Sequence, residues 1–123
     1  MSWTTWVISG ALMAALGVGL GAFGAHALKA RLVPEALAVF EVGVKYHMYH
    51  ALGLIGIGLV ATRIEATGIK VAGSAFLIGI LLFSGSLYAL ALTGQRSLGM
   101  ITPLGGVAFI TGWLALAWTL VRL

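Results

Sequence analysis

Tyr46-His47-Met48-Tyr49-His50 is the densest run of chemically capable side chains in this sequence. On a helix, Tyr46, Tyr49 and His50 recur at spacings of three and four and share one side. His26 closes the preceding apolar stretch, and Glu41 and Lys45 lie just before Tyr46. If one connection joins the two stretches, the end of the first and the start of the second lie at the same membrane face. His26 is then expected to approach His50 and Glu41. Such a cluster could relay protons or hold a lipid headgroup, because ionisable groups near or within spans are expensive and often functional. The plainer reading, which we favour, is interfacial anchoring with one internal hydrogen bond each. A zinc site from His26, His47 and His50 is disfavoured, since it needs defined geometry and an outer shell. The His-Glu-x-x-His pattern is absent.

A later apolar stretch carries Ser84, Ser86 and Tyr88. Ser84 or Ser86 with His50 could be assembled on paper into a hydrolase. However, Phe83-Ser84-Gly85-Ser86-Leu87 lacks the Gly-x-Ser-x-Gly elbow. Hydroxyls within spans more often bond their own backbone or a neighbouring helix. Gly17-Val18-Gly19-Leu20-Gly21 is glycine-rich, but it sits inside an apolar run and is not a phosphate loop. We therefore assign no catalytic residue, no metal and no cofactor.

The elements that must position these residues follow from composition. Of 123 residues, 61% are hydrophobic and 8% charged, against about 25% charged in soluble domains. A chain this short has too much surface for its volume to hide that apolar area from water. The net charge of +4 comes from scattered cations with no basic run, which excludes nucleic acid as partner and suits the flanks of membrane spans. With no cysteine, disulfides and thiolate chemistry are excluded.

Uncharged runs cover residues 2–25, 48–62, 71–95 and 97–121. About 20 apolar residues cross a bilayer as a helix. The expected fold is an all-α membrane protein with four transmembrane helices in an antiparallel bundle. The spans lie at about 3–26, 46–63, 70–93 and 102–121, in a single domain. Ala25-His26-Ala27 has the shape of a leader cleavage site. No cation precedes the run, however, so we read a span. Pro34, Glu35 and the spacing of Leu37, Phe40 and Val44 predict a short amphipathic interfacial helix over 34–44, bending or running into the second span near Gly43. Thr102 is expected to cap the last span, with Pro103 at its first position. Trp3, Trp6 and Trp118 read as interfacial anchors, and Trp113 as an anchor or as lipid-facing packing. The flanks of the first span, with Lys29 and Arg31 only after it, favour both termini outside.

Small residues fall in stripes. Gly10, Ala14, Gly17, Gly21 and Gly24 line one face of the first span. Gly68, Ala72, Ala75 and Gly79 line the third, and Gly105, Ala108, Gly112 and Ala115 the fourth. In membranes such stripes let helix backbones approach closely. We favour packing within one bundle over packing against a second copy for any given stripe, although a homo-oligomer is still expected, because so small a bundle has little interior.

Four segments together resemble one family. Gly21-Ala22-Phe23-Gly24-Ala25-His26-Ala27-Leu28 and Tyr46-His47-Met48-Tyr49-His50-Ala51-Leu52 are similar to motifs of domain of unknown function 423, the transmembrane protein 256 family. So are Phe83-Ser84-Gly85-Ser86-Leu87-Tyr88 and Ile101-Thr102-Pro103-Leu104-Gly105-Gly106. The resemblance implies four spans in a bacterial inner (cytoplasmic) membrane and no established activity. That family usually has Gln where this chain has His47, which implies a hydrogen-bonding rather than a titrating role. The functional expectation is a non-enzymatic membrane module that self-associates or binds membrane lipid or an unknown membrane partner. The alternative is a small transporter or channel using the His, Tyr and Glu cluster.

Overall fold

The computed structural model describes residues 2–123, and all regular elements among them are helical. They are α1 (Trp3–His26), α2 (Pro34–Ala61), α3 (Thr67–Gly79), α4 (Gly85–Thr93) and α5 (Thr102–Val121). A π turn, Ile80–Ser84, joins α3 to α4, so Thr67–Thr93 is one continuous rod. Short 3-10 turns cover Leu28–Ala30 and Arg96–Met100. Three rods are long and apolar enough to cross a membrane: Trp3–Ala30, Thr67–Thr93 and Arg96–Val121. α4 ends where Gly94 turns left-handed at φ +73°, a conformation that favours glycine.

The expected interfacial helix over 34–44 is not a separate element. α2 starts at Pro34 and runs 28 residues to Ala61 without a break at Gly43. Proline at the first position is pre-set for helix and needs no N–H partner there. Phe40 is buried against α1, so these first turns belong to the bundle.

Glycine decides which rods touch. A Cβ at Gly10 would meet the Ala51 carbonyl oxygen at 2.7 Å and the Ile55 nitrogen at 2.9 Å. One at Gly17 would meet Met48, at Gly21 Val44, and at Gly24 Phe40. The whole α1 stripe therefore lies along α2. On the other side, Gly79 faces the Phe109 ring, Gly105 the Phe83 backbone, and Gly112 the Phe76 ring at 2.6 Å. That stripe joins the third rod to α5. Both stripes are thus occupied inside the chain.

The core gathers Trp6, Leu54, Ile57, Phe76, Ile80 and Phe109. Trp6 corrects one expectation. It is 1% exposed and lies over Gly73, whose Cβ would come within 2.5 Å of the indole. Glycine there makes room for a ring that would otherwise face lipid. Trp3 and Trp118 are exposed, and Arg122 sits 5.6 Å from the Trp118 ring centre. α5 starts at Thr102 itself, with Ile101 as its cap residue, one position earlier than the capping pattern predicts.

Candidate functional site

α2 lies between α1 and the other two rods, and its two histidines point inward, while Glu41, Lys45, Tyr46 and Tyr49 are exposed. His47 is 1% exposed. Its Nε2 lies 2.7 Å from the Met13 carbonyl oxygen on α1, and its Nδ1 lies 2.8 Å from the Tyr88 hydroxyl on α4. A carbonyl only accepts, so Nε2–H donates to Met13 and the Tyr88 O–H donates to Nδ1. One imidazole thereby ties three helices. Gly43, one turn earlier, makes room for this arrangement. A Cβ there would meet the Tyr88 ring at 2.8 Å, and the Gly43 carbonyl accepts the Ser84 hydroxyl at 2.6 Å. Ser84 closes the π turn and is fully buried.

His50 takes the opposite tautomer. Its Nδ1–H donates to the Tyr46 carbonyl at 2.6 Å, and the Trp113 Nε1–H donates to its Nε2 at 3.0 Å. The ring stacks on Phe109, with centroids 3.5 Å apart and planes 6° apart. Trp113→Phe removes that donor. Hydrogen bonds between helices in membranes average about 0.6 kcal/mol and reach about 1.7 kcal/mol. Titration with a denaturing detergent is expected to show a loss in that range, and an unchanged midpoint would mean that the bond contributes nothing in the membrane.

Ser86 donates to the Phe83 carbonyl at 2.9 Å and meets the Thr102 hydroxyl at 2.6 Å, which links α4 to the start of α5. The Thr102 hydroxyl is thus engaged by another helix, and no side-chain bond caps its own. Neither serine is hydrogen-bonded to His50. Both nitrogens of His47 and of His50 have protein partners, so neither ring offers a lone pair to a metal or a nucleophile. No buried side-chain nitrogen or oxygen among the described residues lacks a hydrogen bond.

His26 does not join His50. It is exposed at the end of α1. Gly24 lies against Phe40, and Phe40 precedes His50 by ten residues, about 15 Å of helix. The expected meeting fails because α2 begins at Pro34 and has already run several turns before it reaches His50. Glu41 is exposed on α2, away from both buried histidines.

Tyr46, Tyr49 and His50 do share one side of α2. With Phe83, Gly106, Phe109, Ile110 and Trp113 they line an open groove of about 400 Å³ between α2, the π turn and α5. Tyr46 packs on Phe83 with centroids 4.9 Å apart, and Phe83 on Phe109 at 5.4 Å. The lining is mostly aromatic; His50 and Trp113 are bonded to each other, and the hydroxyls of Tyr46 and Tyr49 are its other polar side-chain groups. Sequence reasoning ranked His47 low and left Trp113 undecided. The available signal was Trp113's place in the middle of an apolar run, where an indole N–H needs an acceptor.

Long apolar rods closed by glycine, with an interior of fully bonded polar groups, define a polytopic helical membrane protein. The chain belongs to the family described as protein of unknown function (DUF423), whose model matches residues 20–106. It is 49% identical to UPF0382 membrane protein YwdK of Bacillus subtilis over 117 residues, covering 94% of this chain and 95% of that one. It is 51% identical to UPF0382 membrane protein SERP0230 of Staphylococcus epidermidis, covering 89% of each. A UPF0382 membrane protein of Haemophilus influenzae is 44% identical, over 82% of this chain and 81% of that one. No solved structure matches the chain.

Proposed function

We propose that this protein is a non-enzymatic module that crosses the bacterial inner membrane four times and takes an apolar ligand from the bilayer into the aromatic groove. The observation that carries this reading is a contrast. The polar side chains inside the bundle hold helices together, whereas the groove of Tyr46, His50, Phe83, Phe109 and Trp113 is open and apolar. α2 serves as the fourth span. Its 28 residues reach about 42 Å, it lies along α1, and no charged residue follows Lys45 in it. The glycine stripes are engaged within the chain, which favours ligand binding over self-association through them. A transporter built on His26 and His50 gains no support, because the two are separated by helical register.

Gly106 supplies the test. A Cβ there meets only the Phe83 ring, at 3.8 Å, so Gly106→Leu is expected to fill the groove without moving the backbone. Native mass spectrometry of the protein released from nanodiscs is expected to show a retained lipid-sized mass on the wild type and its loss in the variant. An identical adduct pattern for both, or none on either, would refute groove binding.

A further inference from the structure

We infer that the groove's occupant is an anionic phospholipid of the surrounding bilayer, with its hydrocarbon chains against Phe109 and Trp113 and its phosphate at Lys45. The inference rests on the groove reading above and adds the identity and direction of the ligand.

Shape limits the occupant first. Gly106 to Trp113 is about 10 Å of helix. A volume near 400 Å³ over that length gives a cross-section of about 40 Å². Hydrocarbon chains at an apolar contact spacing of about 4–4.5 Å need about 20 Å² each. A groove of that size takes the paired chains of one lipid.

Charge then sets the direction. Lys45 is exposed and lies one turn before Tyr49 on α2, so its flexible stem reaches the mouth of the groove. The link that carries Arg96 runs directly into α5 at the same end, and Arg96 is exposed. Glu41 lies a further turn out from Lys45 and is exposed too. Beyond Trp113 the rods that wall the groove carry no charge until Arg63, Glu65, Lys70 and Arg122 at the far face. These far cations lie about 9 Å or more of helix beyond the level of Trp113, so the phosphate of a lipid seated in the groove meets Lys45 instead. The exposed rings of Tyr46 and Tyr49 sit at that end, where tyrosine suits the headgroup boundary.

Trp113 is the built-in reporter. Its fluorescence is isolated as the difference between wild type and Trp113→Phe, in vesicles doped with chain-brominated phosphatidylglycerol or chain-brominated phosphatidylcholine. Bromine quenches an indole only on contact. The Trp113 component is expected to quench at about a fivefold lower mole fraction of the anionic lipid, the preference of one lysine near a membrane surface. Lys45→Gln is expected to abolish that preference while leaving quenching by phosphatidylcholine unchanged. Equal quenching by both lipids in the wild type overturns the anionic assignment and leaves the groove reading standing. A Trp113 component that neither lipid quenches overturns the groove reading as well, and points to a second copy or another protein on that face.

Discussion

Gly105→Ala is expected to destabilise the fold by about 3 kcal/mol, the upper end of what overpacking a close-fitted interior does. A Cβ at Gly105 would lie 2.7 Å from the Phe83 Cα and closer still to its nitrogen. Backbone atoms cannot rotate aside, so α5 must move away from the π turn. That movement would also loosen the Ser86–Thr102 link and the His50 ring held between Phe109 and Trp113. Gly10→Ala meets backbone on α2 and is expected to follow closely. Gly17→Ala meets the thioether end of Met48, which can swing, so a smaller loss is expected. Gly19→Ala and Gly56→Ala meet nothing within 4 Å. They are expected to be neutral or stabilising, because alanine is the better helix former by about 1 kcal/mol. Detergent-denaturation midpoints for the five variants check this order. A Gly105 variant as stable as the Gly19 variant would refute the close approach of α5 to the π turn.

His47→Leu and His47→Gln are expected to separate by about 2 kcal/mol. Leucine removes a donor from the Met13 carbonyl and an acceptor from the Tyr88 hydroxyl, two bonds worth about 0.6–1.7 kcal/mol each in a membrane protein. The Met13 carbonyl can keep a partner within its own helix, whereas the Tyr88 hydroxyl is left with only the Ser84 hydroxyl, which already donates to the Gly43 carbonyl. Glutamine restores both roles, since its amide donates and its carbonyl accepts. Its rescue would identify position 47 as a neutral hydrogen-bonding junction, the role that the family resemblance implies. Equal loss in both variants would instead assign the site to ring packing.

Much of the fold was legible because lipid punishes charge so strongly. The uncharged runs at 2–25, 71–95 and 97–121 coincide with α1, the third rod and α5. The glycine stripes were legible too, since close helix approach demands small residues at regular spacing. The start of α2 at Pro34 was legible, but the surface that its first turns pack against was not. An amphipathic stretch reads the same whether its apolar face meets headgroups or a neighbouring helix, and Phe40 turned out to face α1. That single ambiguity misplaced His26 relative to His50. Nor does sequence mark the π turn, because one widened turn alters no residue preference, yet it positions Ser84 and the Phe83 backbone. Trp6 shows the same limit from the other side. An indole near a chain terminus suits the interface on composition alone, and only the small surface of Gly73 on a different helix draws it inward.

Both glycine seams join rods that follow closely along the chain: α1 lies on α2, and the Thr67–Thr93 rod lies on α5. Each hairpin therefore contains its own zipper. As the polypeptide leaves the ribosome, the first pair can close before the second has been synthesised. Its polar junction to Tyr88 is then the step that docks one finished hairpin on the other. Assembly in the bilayer becomes a sequence of two local closures and one late join. A chain severed in the short connection after Ala61 is still equipped to reunite from its two halves.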